Sequence, residues 1–132
     1  MEPAKFNELN ALTEKIIGAA IDVHKELGPG LLESIYEVCL IEELERKGLC
    51  VQHQVDFPVY YQGQLTDKHL RMDIVVEDKI VIELKAVEKI LPVHEVQLVT
   101  YLKLTNKNIG LLINFNVAHL KDGIKRKIYE RL

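Results

Sequence analysis

Between Phe6 and Leu27, apolar residues recur at Phe6, Leu9, Leu12, Ile16, Ala20, Val23 and Leu27. These steps of three and four predict an amphipathic helix, ended by Gly28-Pro29-Gly30. A second helix is expected from Leu31 to Lys47, with Leu32, Ile35, Cys39, Leu40 and Leu44 turned inward and Gly48 in the left-handed position that closes many helices. The period then changes. Val51–Tyr61 is rich in β-branched and aromatic residues and reads as a strand. Gln62-Gly63-Gln64 reads as a turn, and Leu70–Val76 and Ile80–Val87 as two further strands joined by Glu77-Asp78-Lys79. Pro92 opens a third helix to about Leu104, because proline is tolerated in a first turn. Thr105–Asn108 is a polar turn and Ile109–Phe115 a buried strand, while the stretch from Val117 fits either a short helix or an edge strand. This order predicts an α/β fold: one domain over residues 1–132, with helices flanking a small mixed sheet.

A chain of 132 residues, 48% hydrophobic and 28% charged, has the size and composition of one packed core rather than of a disordered segment. Its longest apolar runs, such as Ile109–Ile113, fall far short of the ~20 residues that cross a bilayer. The first residues lack a basic region followed by an apolar stretch, so a cytoplasmic location is expected. Cys39 and Cys50 make neither a disulfide framework nor a CxxC pair. His24, His53, His69, His94 and His119 show no HxxxH or HExxH spacing, which argues against zinc. His24, near the end of the first helix, is expected as a dipole partner or a packed core residue. The net charge of −3 speaks against a general nucleic-acid coat protein, but it is unevenly spread. Residues 1–50 hold five Lys/Arg against ten Asp/Glu, and residues 51–132 hold twelve against ten. Lys121, Lys125, Arg126, Lys127 and Arg131 form a local basic edge.

The richest chemistry lies in the hairpin from Arg71 to Lys85. Apolar rows at Leu70, Met72, Ile74 and Val76 and at Ile80, Ile82, Leu84 and Ala86 must share a face, which sets Ile74 opposite Ile82 and Asp73 opposite Glu83. Two carboxylates opposed at ~5 Å destabilise a sheet unless a positive charge sits between them. Mg²⁺ fits, since it takes oxygen ligands and often needs only one or two carboxylates besides phosphate and water. Lys85, on the same face as Glu83, is placed to orient or deprotonate an attacking water or to stabilise charge on phosphorus. Together these are the minimal equipment for metal-assisted phosphodiester hydrolysis. The competing reading is a surface ion pair of Lys85 with Asp73 or Glu83. Gln97 and Tyr101 share a helical face, and Glu33, Tyr36 and Glu37 share another that can bring a third carboxylate to the hairpin. Arg71 is a candidate phosphate contact or a salt-bridge partner on a neighbouring strand.

Gly30-Leu31-Leu32-Glu33-Ser34-Ile35-Tyr36 resembles the signature of the GxxExxY proteins, a prokaryotic family within the PD-(D/E)XK nuclease superfamily. The likeness extends from Val23-His24-Lys25-Glu26-Leu27 through Arg71-Met72-Asp73 and Ile82-Glu83-Leu84-Lys85-Ala86 to Gly110-Leu111-Leu112-Ile113-Asn114-Phe115. It implies a restriction-endonuclease-like α-β-β-β-α-β core. By this resemblance Asp73 and Glu83 are metal ligands, Lys85 is the catalytic lysine, and Glu33 is the helix acid beside a Mg²⁺ or Mn²⁺ ion. Gln97 and Tyr101 resemble the Gln-x-x-x-Tyr motif of the exonuclease-type branch. The implied partner is nucleic acid, DNA before RNA, with the basic edge on its backbone. Two further expectations compete: a non-catalytic nucleic-acid or protein-binding module that retains the fold, and a homodimeric nuclease resembling the junction resolvases.

Overall fold

The computed structural model describes residues 1–131. Helix α1 runs Pro3–Leu27 and α2 Glu33–Arg46. Three strands follow, β1 Val51–Tyr61, β2 Gln64–Val76 and β3 Ile80–Lys85, and then helix α3 Pro92–Thr105. Strand β4 Ile109–Asn114, a 3-10 turn Leu120–Gly123 and strand β5 Ile124–Ile128 complete the order. The sheet order is β1-β2-β3-β4-β5. Strands β3 and β4 are parallel, as the α3 crossover requires, and the other neighbours are antiparallel. Among the described residues no helix is long and apolar enough to cross a membrane.

Two apolar clusters sandwich the sheet. On one side Ile16, Ala19 and Ala20 of α1 and Tyr36, Leu40 and Leu44 of α2 pack on Ile74, Val76, Ile80, Ile82, Ile109, Leu111 and Ile113. On the other, Leu98 and Leu102 of α3 pack on Met72, Val75, Val81 and Leu112. Strands β3 and β4 are covered on both faces, so they read as continuous apolar runs rather than as alternation.

Several expectations change. Helix α2 begins at Glu33, and its buried face is Tyr36, Leu40 and Leu44, while Leu32 and Ile35 are exposed. Tyr36 is fully buried and stacks on Phe115 with ring centroids 4.4 Å apart. Its hydroxyl donates to Gly28 O at 2.6 Å and accepts from Leu31 N at 3.1 Å, which rotates the helix about this ring. The turn after β1 is two residues, Gln62 and Gly63, both with positive φ, so β2 starts at Gln64 rather than near Leu70. Strand β3 stops at Lys85, short of Val87. The segment after Val117 takes both forms, the 3-10 turn and then the edge strand β5. Met72 does not share the face of Ile74 and Val76. It packs with Val75 and Val81 under α3, so strict alternation fails between Met72 and Ile74.

His24 is buried, its Nε2 lying 2.8 Å from Val117 O, in keeping with a core role. Both cysteines are free. Asn114, buried at the end of β4, clamps the chain after β3: its amide nitrogen donates to Val87 O at 2.9 Å and its oxygen accepts from Val87 N at 3.1 Å. The 3-10 turn presses on the same residue, since a Cβ on Gly123 would lie 2.2 Å from Asn114 O. Gly123→Ala is therefore expected to cost about 1–3 kcal/mol through overpacking against backbone, read as a lower urea midpoint at unchanged m-value.

Candidate functional site

The antiparallel ladder between β2 and β3 pairs Val76 with Ile80, Val75 with Val81 and Ile74 with Ile82, as the apolar rows require, and then stops. Asp73 and Glu83 are the next positions. There the strands part, and the amide of Leu84 donates to Asp73 Oδ2 at 2.8 Å instead of continuing the ladder. On the other side of β2 the pairing also skips one position: His53 pairs with Ile74 and Val55 with Met72, while Gln54 has φ +49° and leaves Asp73 out of the ladder. A non-glycine residue in the left-handed region inside a strand is strained, and here the strain lies beside the carboxylate it helps to turn.

Glu83 is held next to Asp73. Its Oε1 is sealed from solvent and has no hydrogen-bond partner among the described residues. Burial pushes the Glu83 carboxyl up to about 9, the Asp73 charge adds to this, and the Lys85 ammonium opposes it. Burial of a carboxylate beside a like charge raises its proton affinity in this way. An unpartnered buried oxygen against a second carboxylate is costly unless a proton or a cation lies between the two. As oxygen donors the two carboxylates fit the chemistry of Mg²⁺ or Mn²⁺.

The helices approach this point from opposite faces. From α3, Gln97 Nε2 donates to the Tyr101 hydroxyl at 3.0 Å. Burial raises the proton affinity of Tyr101, with the Glu83 and Asp73 charges adding to it, which places the phenol within electrostatic reach of both carboxylates. From α2, Glu33 Oε1 accepts from the amide of Ala86 at 3.2 Å, just beyond Lys85. Glu33 also lines a recess of about 310 Å³ with Ser34, Glu37, Gln54, Asp73 and Leu84. Among the described residues no group of three or more His, Cys, Asp or Glu side chains is gathered closely enough to hold a metal ion. Asp73 and Glu83 are thus brought together, and Glu33 stands at the same recess with its carboxylate turned to backbone.

Arg71 is paired with Asp56 across the β1–β2 ladder at 3.1 Å, the strand-neighbour salt bridge. The basic edge is committed in part, with Lys121 and Lys125 exposed. Lys127 pairs with Glu95 of α3 at 2.5 Å, and Arg126 bonds Asn10 Oδ1 and lies over the Phe6 ring at 5.6 Å. Three residues at this end of the sheet take roles that spacing along the sequence does not assign. Gln54 donates to Glu37 Oε1 at 2.7 Å in the recess, and Asn114 fixes the chain beyond Lys85. Tyr36, noted for its helical spacing and as the end of the Gly30–Tyr36 signature, anchors the turn that leads to Glu33. A lone amide closing the apolar run Ile109–Ile113 was the available signal for Asn114.

A family model described as the PD-(D/E)XK nuclease superfamily matches residues 10–127. Among solved structures the chain is similar to the crystal structure of SSO0001, with a TM-score of 0.52 and 27% sequence identity over 76% of this chain and 51% of that one. The chain therefore spans about half the length of that protein. No curated protein matches it.

Because the Glu83 carboxyl is held near 9 against an ordinary 4.5, the folded state keeps a proton between these values that the unfolded state releases. Stability in chelator is accordingly expected to fall as pH rises from about 4.5 to 9, with this group contributing to the slope. Glu83→Gln, neutral throughout, should flatten that slope in urea titrations run across the window. Mg²⁺ or Mn²⁺ should stabilise the wild type at the alkaline end and leave Glu83→Gln unmoved.

Proposed function

The chain belongs to the PD-(D/E)XK nuclease superfamily, and on that premise we propose that residues 1–132 act as one domain that hydrolyses phosphodiester bonds, with DNA as the first substrate and Mg²⁺ or Mn²⁺ as cofactor. The observation that carries the proposal is the unpartnered, buried Glu83 Oε1 beside Asp73, at the point where β2 and β3 part. A purely structural sheet has no use for two adjacent carboxylates, since replacing either by an apolar residue would relieve repulsion and desolvation. The narrower reading, a GxxExxY-type protein, is supported by Gly30, Glu33 and Tyr36, because Tyr36 ties down the turn before Glu33 while Glu33 reaches the amide after Lys85.

A divalent cation bound by Asp73 and Glu83, with Glu33 assisting, would supply positive charge against the scissile phosphate. The remaining work falls to this chain's own groups. The Lys85 ammonium, two residues along β3 from Glu83, orients the attacking water and stabilises the charge that accumulates on phosphorus. Tyr101, held by Gln97, offers a hydroxyl to a non-bridging oxygen or a neighbouring base. The clamp of Asn114 on Val87 and the bond from Ala86 to Glu33 keep Lys85 in register with the carboxylates. Preorganisation of this kind, rather than covalent chemistry by the protein, is what phosphoryl transfer demands.

The test is incubation with plasmid, linear and single-stranded DNA and with RNA, in Mg²⁺, Mn²⁺ or chelator. Cleavage is expected with metal only. Asp73→Ala, Glu83→Ala and Lys85→Ala should each lower the rate by about 10²-fold or more, and Tyr101→Phe by less. Metal-independent cleavage, or full activity in Glu83→Ala, would reject the assignment.

A further inference from the structure

Acids and bases are sorted to different sides of the last two turns of α1. Asp22 and Glu26 join Glu42 and Glu43 of α2 around a recess of about 420 Å³ between the two helices, with Arg46 beside them. On the other side of α1, Ile21, His24 and Lys25 face His119 and Lys121 across a recess of about 620 Å³ that no carboxylate lines among the described residues. The lysines held in ion pairs are Lys47, Lys79, Lys107 and Lys127, so Lys25 and Lys121 are unpaired among the described residues. Both walls of this recess are fixed. His24 is only 8% exposed, and its Nε2 donates to Val117 O at 2.8 Å, since a carbonyl can only accept. Opposite it, Leu120 is buried in the core between His119 and Lys121. Cations in the last turn of a helix offset its dipole, which accounts for His24 and Lys25 but not for the two bases brought in by the chain after β4.

We propose that this recess holds a backbone phosphate of the nucleic-acid strand bound at Asp73 and Glu83, an inference that rests on the nuclease reading above. The two places lie at one end of the sheet. Strands β3 and β4 are parallel and pair Lys85 with Asn114, so the chain after β4 leaves the sheet at the edge where Lys85 stands, and Phe115 N donates to Lys85 O at 3.0 Å. Five residues lead from Phe115 to Leu120, at most about 18 Å of chain. A strand stacked at about 3.4 Å per nucleotide crosses that gap in at most about six nucleotides. Charge gives the recess its occupant. The smaller recess at Asp73 is lined by Glu33 and Glu37 and repels a polyanion wherever the cation does not reach, so a strand cut there needs positive surface beside it. Lys25, Lys121 and His119 supply it, with no acid among the lining residues to compete for them.

The experiment measures binding of fluorescein-labelled, cleavage-resistant phosphorothioate single-stranded DNA of two lengths, one well below and one well above that reach, in Mg²⁺ over a range of salt, by anisotropy. The Lys25→Gln, Lys121→Gln double variant is compared with Lys25→Arg, Lys121→Arg, which keeps the charge, and with Lys5→Gln, Lys15→Gln, which removes as much charge from exposed positions earlier in α1. Each phosphate neutralised on a single strand contributes about −0.7 to the slope of log affinity against log salt, so loss of two contacts should flatten that slope by about 1.4 and weaken binding about tenfold near physiological salt. This is expected for Lys25→Gln, Lys121→Gln on the longer strand alone, with the arginine and the Lys5, Lys15 variants close to wild type. An unchanged slope, equal losses on both lengths, or an equal loss in the Lys5, Lys15 variant would overturn the inference, while metal-dependent cleavage by the wild type keeps the nuclease reading. Inorganic phosphate and thymidine monophosphate are titrated against the bound longer strand, and displacement by either at micromolar concentration would assign the recess to a small phosphate compound and reject the strand. Wild-type protein that neither binds nor cleaves either strand would sink this inference and the nuclease reading together.

Discussion

The parting of β2 from β3 after Ile74 and Ile82 is the constraint on which the remainder of the molecule turns. A ladder that continued would have satisfied the Leu84 amide with a backbone carbonyl. Instead Asp73 Oδ2 accepts it, which draws a carboxylate into the gap beside Glu83. The arrangement is unfavourable by itself, because it buries one acid against another and leaves Glu83 Oε1 without a partner. It persists because the register on the other side of the break is over-determined. Ile74, Val76, Ile80 and Ile82 are fully buried under α1 and α2, and a slip of one residue would turn one strand's row away from these helices. The hydrophobic core thus supplies the force that holds a polar defect open.

Each covering layer then fixes one part of the site. Under α2, the stack of Tyr36 on Phe115 and the hydroxyl's two bonds to the Gly28–Leu31 turn set where the helix begins, and so where Glu33 stands. On the opposite face, burial of Leu98 and Leu102 on the sheet leaves Gln97 and Tyr101 along the edge of the α3 contact, one of them within the field of the carboxylates. Asn114 closes the third side by tying Val87 to the end of β4. These parts meet at the carboxyl ends of the parallel pair β3 and β4, where open α/β sheets place their ligand sites. No single element could build the site, since its members come from both faces and from strand ends joined only through the sheet.

Much of this was legible in the sequence, and the failures have physical causes. The element order, the extent of β1 and the pairing of Ile74 with Ile82 follow from periodicity alone, because burial of one face leaves little freedom. The inward face of α2 did not, since Leu32 and Ile35 are as apolar as the residues that are buried. What decides is Tyr36, whose hydroxyl satisfies two backbone groups that no hydropathy pattern registers, the turn carbonyl of Gly28 eight residues before it and the amide of Leu31 five before it. Met72 changed faces because alternation presumes a regular ladder, and the ladder is broken beside it at Gln54 and Asp73. The early start of β2 was hidden by its polar outer half, where a ribbon with little to bury shows no hydrophobic pattern to read. Asp73, Glu83, Lys85, Gln97 and Tyr101 were visible as spacing on their own elements. Gln54 and Asn114 were not, because their contacts are made only after the chain has folded.

The net charge of −3 takes on a different meaning once the cations are located. The basic residues near the carboxyl end are only partly free: Lys127 is held by Glu95 and Arg126 by Asn10 and the Phe6 ring, while Lys121 and Lys125 are exposed. Arg71 is likewise spent on Asp56. A protein that neutralised many phosphates would lose affinity steeply with salt, in proportion to the contacts made. Here Lys85 is the cation whose charge acts on Glu83, and it has no ion-pair partner among the described residues. The acidic excess lies mainly in residues 1–50, on the two helices that cover the sheet, where it opposes indiscriminate attachment to polyanions.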